Sequence, residues 1–144
     1  MVRRLVGVMS IVFVVSVMTT AARADRVPAP QGNGWTIPED AKTTKSPLTV
    51  DAKIVEAGKA LFKDKCQRCH GPGGLGDGPD ADPDAQDDMN LTVAKRAANN
   101  PDGVIFYKVW NGRKKPKMPA FKETLTKDQV WTIVAFVQTL RKSS

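Results

Sequence analysis

Five consecutive residues constrain this chain more than any other feature of its 144 residues: Cys66, Gln67, Arg68, Cys69 and His70. The chain has 2 cysteines and 1 histidine, and this segment contains all of them. Two thiols at this spacing can each add to one vinyl group of the same porphyrin, and the next residue then points its imidazole at the iron. The motif therefore indicates covalent attachment of one c-type haem through Cys66 and Cys69, with His70 as an axial ligand of the iron.

Three other interpretations of the cysteine pair remain open at this stage. A redox-active disulfide is typical of a thioredoxin-like βαβ pattern, which the sequence lacks. A zinc site needs a fourth ligand and more Cys or His than the chain contains. A structural disulfide is compatible with export but gives His70 no role.

The sixth iron ligand is predicted to be a methionine, because no second histidine exists. Beyond residue 24 the chain has two methionines, Met89 and Met118. Pro119 fixes the backbone after Met118 and favours an extended conformation at Met118 itself, which suits a loop that presents a thioether at fixed reach. Met89 lies in a polar stretch and can instead be an ordinary core residue. We therefore predict Met118 as the second axial ligand, which together with His70 raises the reduction potential.

The N-terminus has the residue order of a secretory signal peptide. Arg3 and Arg4 precede an uncharged apolar run over residues 5–18, and an Ala-Arg-Ala pattern ends at Ala24. The run is shorter than the roughly 20 apolar residues of a membrane span, although an uncleaved anchor helix is the alternative. We predict a signal peptide over residues 1–24, cleaved after Ala24, and a periplasmic location, where bacterial c-type haem is attached.

The remaining chain divides into an arm and a domain. Residues 25–48 are rich in Pro, Gly, Lys and Thr and show no helical or strand period, so we predict an extended N-terminal arm. Its single tryptophan, Trp35, is expected to pack on the surface of the domain, with docking of a partner as the alternative. Residues 49–144 are predicted to form the haem domain. Its first helix starts near Asp51, a third helix spans about residues 102–111, and the last helix opens with a capping box at Thr126.

These features resemble a bacterial periplasmic monohaem cytochrome c of class I, the fold shared with mitochondrial cytochrome c. The resemblance covers residues 50–142 and rests on the Cys-x-x-Cys-His motif, on Met118 with Pro119, on the terminal helices and on the Gly-rich loop of residues 71–79. It implies an all-α fold of three to five helices around one covalently bound haem, with the N- and C-terminal helices crossing.

The resemblance also implies roles for single residues. Gly58 and Phe62 match first-helix positions at which the last helix crosses closely. In this family a proline carbonyl of the Gly-rich loop accepts the ring N–H of the proximal histidine, here His70, and thereby orients the ring. Pro79 is the best match and Pro83 the second choice, whereas a turn proline without this role is the alternative.

Two charged loops follow the motif. Six aspartates lie within residues 77–88, which favours a solvated acidic loop over a calcium site because the spacing does not fit an EF-hand. Residues 113–117 are basic and adjoin Met118, so they form either a docking surface for an acidic redox partner or a solvated loop. The net charge of +7 falls to +4 without residues 1–24, which does not indicate a nucleic-acid-binding protein.

The sequence as a whole predicts a soluble, monomeric one-electron carrier that works with redox partner proteins and has no small-molecule substrate. It offers no general base for an enzyme, because its single histidine is assigned to iron. Two alternatives remain: a haem subunit of a larger dehydrogenase or oxidase complex, and a ligand-binding or peroxidase-like haem protein with an open sixth position. The electron donor, the acceptor and the role of the arm are not specified.

Overall fold

A computed structural model of the chain describes residues 34–141. The predicted signal peptide and residues 25–33 of the predicted arm lie outside the described residues, as do residues 142–144. Within the described range the fold is all-α. Seven α-helices follow one another: α1 (Glu39–Thr43), α2 (Ala52–Lys65), α3 (Gln67–His70), α4 (Gln86–Met89), α5 (Ala94–Ala97), α6 (Asp102–Asn111) and α7 (Lys127–Thr139).

The helix count exceeds the predicted three to five because four of the helices have only 4 or 5 residues. Segments this short contain barely one turn, so they show no hydrophobic period in the sequence. The three long helices α2, α6 and α7 agree with the predicted ones. None of the helices between residues 34 and 141 has the length and apolar composition of a membrane span.

Helices α2 and α7 form the main packing contact of the domain, as the predicted crossing requires. Asp51 caps α2 by accepting a hydrogen bond from the backbone N–H of Ile54 at 2.8 Å. Phe62 of α2 is 2 % exposed and its ring centroid lies 5.2 Å from that of Phe136 on α7. The capping box predicted at Thr126 is present, so both crossing helices have a fixed first turn.

Gly58 allows the close approach of these two helices. A Cβ atom at Gly58 would overlap the carbonyl oxygen of Thr132 and lie 2.8 Å from the Cβ of Phe136. Real Cβ atoms do not come this close to a neighbouring backbone, so a side chain here would push the helices apart.

We expect Gly58→Ala to destabilise the haem-loaded protein by about 1–3 kcal/mol, because overpacking outweighs the better helix propensity of alanine. Each kcal/mol lowers the melting temperature by roughly 4–8 °C in a domain of this size. Gly73→Ala is the control, since its Cβ would meet only the side chain of Leu75 at 3.9 Å. A melting temperature that rises in Gly58→Ala would contradict the tight crossing.

The described part of the predicted arm differs from the expectation of an extended segment. It contains α1, and Trp35, Ile37 and Ala41 are 5 %, 2 % and 7 % exposed in a cluster with Val104 of α6. A helix of five residues is not stable by itself, so α1 depends on this tertiary contact, which composition does not reveal. The segment thus packs against the domain over the first half of α6.

Candidate haem site

The three helices α2, α6 and α7 and the loops between them enclose a cavity of about 820 Å³. This volume lies within the range of about 300–1,000 Å³ that is typical of small-molecule sites. Cys66, Cys69, His70 and Met118 all line it. The four predicted site residues, which come from two segments far apart in the sequence, therefore meet at one cavity.

Cys66 lies between α2 and α3, and Cys69 lies within α3. The backbone N–H of Cys66 closes α2 by donating to the carbonyl of Phe62 at 2.8 Å, and the N–H groups of Cys69 and His70 return to the carbonyl of Cys66. Both thiols are free, and burial raises the pKa of the Cys66 thiol to about 12, with Cys69 and Asp64 adding to the rise. A redox-active cysteine pair needs a lowered thiol pKa, so this environment disfavours that interpretation.

His70 is held in the tautomer that a metal ligand needs. Its Nδ1 lies 2.8 Å from the carbonyl oxygen of Met89. Because a carbonyl accepts and cannot donate, Nδ1 carries the hydrogen and Nε2 keeps its lone pair for a metal. Burial lowers the pKa of His70, and Arg113 lowers it further against the opposing effect of the Met89 hydrogen bond. The imidazole is therefore neutral at neutral pH, as metal binding requires.

The carbonyl that orients His70 belongs to Met89 and not to Pro79, which corrects the expectation from the sequence. The residues on both sides of Pro79 make backbone hydrogen bonds to α3. The N–H of Gly78 donates to the Cys69 carbonyl, and the N–H of Asp80 donates to the Arg68 carbonyl. These bonds fix the Pro79 turn along the backbone of α3. Pro83, the second choice, is the first residue of a 3₁₀ turn that precedes α4. Met89 is the last residue of α4.

Met118 lies in a short loop that folds back on itself after α6. The backbone N–H of Arg113 donates to the Met118 carbonyl at 2.9 Å, and the N–H of Met118 donates to the Arg113 carbonyl at 3.0 Å. Gly112 makes the turn possible with a φ of 62°, and a Cβ there would lie 2.5 Å from the Met118 carbonyl oxygen. The N–H of Phe121 donates to the carbonyl of Val109 at 3.1 Å, and this bond holds the end of the loop against α6.

Met89 also lines the cavity and is 9 % exposed. Its backbone, however, lies against Nδ1 of His70, which is on the far side of the ring from Nε2. Both methionines therefore reach the cavity, and Met89 also contributes the carbonyl that orients the His70 ring.

Comparison with known proteins identifies the family. The sequence profile described as Cytochrome c matches residues 55–141, more than half of the chain. This chain belongs to the cytochrome c family. Membership implies a covalently bound c-type haem and an electron-transfer protein rather than an enzyme. The match spans α2 to α7, so α1 and the buried Trp35 of this cytochrome c lie outside it.

Two solved structures are similar to this cytochrome c. One is the reducing HAO-like protein complex of Kuenenia stuttgartiensis, with a TM-score of 0.56 and 25 % identity over 67 % of this chain and 47 % of the other. The second is cytochrome CL of Methylophaga aminisulfidivorans, with a TM-score of 0.49 and 28 % identity over 62 % of this chain and 57 % of the other. The cytochrome c thus spans only about half the length of these relatives. No curated protein sequence matches it.

The cavity of this cytochrome c suits a haem in its apolar lining and in its charge. Its apolar lining includes Phe62 of α2, Val109 of α6 and Ile133 of α7. The charged lining residues are six cations and three carboxylates, an excess of positive charge that complements the two carboxylates of a haem. Among the cations, burial lowers the pKa of Lys108 to about 8, with Arg113 and Arg96 lowering it further and Asp88 opposing them.

Sequence reasoning missed several residues of this site. Met89 contributes a backbone carbonyl, which no side-chain pattern reveals. Ile37 of the predicted arm lines the cavity, and Trp35, which the sequence places against the domain, lines the cavity as well. The lone tryptophan in an otherwise polar stretch was the only available signal, since buried aromatic residues dominate packing energy.

The acidic loop and the basic loop differ in their surroundings. Within residues 34–141 no three Asp, Glu, Cys or His side chains converge as metal ligands would. Two of the six aspartates pair with arginines: Asp80 with Arg68 at 2.6 Å, and Asp88 with Arg113 at 3.4 Å and with Arg96 at 3.8 Å. In the basic loop, Lys114 and Lys115 are exposed beside the cavity.

Proposed function

We propose that this cytochrome c is a one-electron carrier in which Cys66 and Cys69 form the haem thioethers and His70 and Met118 are the axial ligands. The observation that carries the proposal is the convergence of these four residues on a single cavity of about 820 Å³.

The proposed site gives each residue one task. When bound, the haem supplies an iron that accepts and releases one electron. The chain holds a neutral imidazole in one tautomer through the Met89 carbonyl, and it holds a thioether on a loop closed by backbone hydrogen bonds. Ligands that keep their positions in both redox states leave little to rearrange on electron transfer. Apolar residues such as Phe62 and Val109 limit water at the site, which together with His/Met ligation favours a raised reduction potential.

Optical spectroscopy of the haem-loaded protein tests this proposal. We expect the Fe(III) form to show the long-wavelength charge-transfer band of a methionine–iron bond. We also expect the Fe(II) form to bind no carbon monoxide at neutral pH, and the two forms to interconvert by one electron. A protein that lacks the band and binds carbon monoxide or cyanide readily would instead support a ligand-binding or peroxidase-like haem protein.

The proposal includes export and a monomeric state. The residue order at positions 1–24 is that of a signal peptide, and c-type haem attachment takes place outside the bacterial cytoplasm. Mass spectrometry of periplasmic protein should give a chain that begins at Asp25 and carries the mass of one haem. A chain that keeps residues 1–24 would support the anchor alternative.

The docking surface is proposed to be the basic loop of residues 113–117, whose exposed Lys114 and Lys115 adjoin the Met118 segment. Positive charge at this point attracts an anionic electron-transfer partner and orients it towards the haem. We expect the double variant Lys114→Ala with Lys115→Ala to react about two- to tenfold more slowly with ferricyanide, an anionic oxidant, at low salt. The difference should vanish at high salt because the charges are screened.

A matched charge change provides the control for this experiment. The double variant Lys53→Ala with Lys63→Ala removes two exposed lysines from α2 and lowers the net charge by the same amount. If both double variants slow the reaction equally, net charge alone is responsible and the basic loop is not a specific docking surface.

A second candidate function, a haem subunit of a larger redox complex, is supported by one comparison. The similar structure from Kuenenia stuttgartiensis is a protein complex, and the present chain aligns with 47 % of one of its chains. Purification of the haem-loaded protein from a membrane-free extract of the cells that produce it distinguishes a free carrier from a subunit of a complex. A stable stoichiometric partner would favour the subunit, whereas a monomer in gel filtration would favour the free carrier.

A further inference from the structure

The side chain of Arg113 connects three separate segments at the wall of the cavity. It is 10 % exposed, and its Nε donates to the Pro116 carbonyl at 2.9 Å, inside the loop that carries Met118. The backbone of the same residue makes both hydrogen bonds of the bridge to Met118. Arg113 therefore braces the Met118 loop by its main chain and its side chain together.

The second connection runs to the segment that orients His70. A terminal nitrogen of Arg113 lies 3.4 Å from a carboxylate oxygen of Asp88, whose own side chain is 30 % exposed. Asp88 directly precedes Met89, the residue whose carbonyl holds Nδ1 of His70. One ion pair thus links the loop of the proposed sixth ligand to the residue that positions the proposed fifth ligand.

The third connection runs to Trp35, outside the part of the chain that matches the family profile. The guanidinium carbon of Arg113 lies 5.0 Å from the centroid of the Trp35 ring, within the range of a cation–π contact. Lys108 lies 5.4 Å from the same centroid. Trp35 is 5 % exposed, so the ring is a fixed surface against which the guanidinium is held.

We propose that Arg113 is a positioning residue that fixes the Met118 loop over the haem cavity, held between the Trp35 ring and the Asp88 carboxylate. The inference rests on the proposed function, since it concerns the ligand Met118. A guanidinium suits this place because its planar fork donates in several fixed directions while its face packs on an aromatic ring. A lysine keeps the charge but cannot make these contacts at the same time.

The consequence is a loop that resists displacement of its ligand. An exogenous ligand such as cyanide must move Met118 away from iron before it binds, so its affinity reports how firmly the loop is held. Outer residues that orient a metal ligand typically change metal-site affinity or activity by about 10–100-fold when altered. The same measurement is insensitive to a loss of global stability, provided that the protein remains folded at the temperature used.

The experiment compares cyanide affinity in the haem-loaded Fe(III) protein for wild type, Arg113→Lys and Asp88→Asn. We expect the affinity for cyanide to be about tenfold higher, or more, in both variants than in wild type. The methionine–iron band should also be weaker in both variants before cyanide is added. Asp87→Asn is the matched control, because Asp87 is the exposed neighbouring carboxylate on the same helix and the substitution changes charge identically. It should behave as wild type does.

Each result has a definite meaning. Unchanged cyanide affinity in Arg113→Lys and Asp88→Asn, or an equal change in Asp87→Asn, would overturn the positioning role. Asp88→Asn keeps the test decisive if Arg113→Lys does not fold. A wild-type protein without a methionine–iron band would instead refute the proposed ligation by Met118, so the two failures are distinguishable.

Discussion

Replacing both Cys66 and Cys69 by alanine is expected to yield a chain that carries no haem after denaturing electrophoresis and that does not fold. The cavity lies among residues of all three long helices, so without haem its lining would lose the packing partner. At about 24 cal/mol per Å³, even a third of this volume left empty would destabilise by roughly 7 kcal/mol. That is comparable to the whole folding free energy of a typical domain, about 5–15 kcal/mol.

The measurement is haem staining together with circular dichroism of chains produced alongside a haem-attachment system. The single variant Cys69→Ala is the control, because the Cys66 thioether should still keep haem on the chain through electrophoresis. A compact, helical double variant would contradict the view that the haem is the centre of the core.

The second large effect is expected for Met118→Ala. Removing the thioether leaves the sixth position of the iron open, so the long-wavelength band of the Fe(III) form should disappear and the Fe(II) form should bind carbon monoxide. The reduction potential should fall, because a methionine ligand favours Fe(II). Potentiometric titration and carbon monoxide difference spectra measure both changes, while haem staining should be as in wild type.

Met89→Leu separates the two methionines. It keeps the backbone carbonyl that contacts His70 and retains an apolar side chain of similar size, so we expect the band and the potential to stay close to those of wild type. If Met89→Leu loses the band and Met118→Ala keeps it, the assignment of the sixth ligand is reversed.

The parts of the site that the sequence predicted are those with signals in consecutive residues. The Cys66–His70 motif, the proline after Met118 and the capping box at Thr126 each depend on local geometry, and the capping box is confirmed by its hydrogen bonds. The crossing of α2 and α7 at Gly58 was implied by the family resemblance, whereas the glycine by itself indicated only that its position has a packing reason.

The parts that could not be predicted depend on contacts distant in sequence. The His70 ring is oriented by a main-chain carbonyl 19 positions away, and every residue has such a carbonyl. The resemblance indicated Pro79 because a proline can be recognised in a sequence. The place of a backbone carbonyl in the fold cannot be recognised in this way. Trp35 was assigned to an extended arm because α1 is too short to show a period and becomes stable only against α6.

The burial of Trp35 and Ile37 determines where a recombinant fragment of this protein should begin. A recombinant fragment cut at residue 49, where the sequence placed the start of the domain, would remove both side chains and leave Val104 uncovered. The exposed apolar face on α6 would then favour self-association of the fragment, and the haem would gain a route to solvent beside Lys108. A fragment for structural or electrochemical work should therefore begin upstream of Trp35.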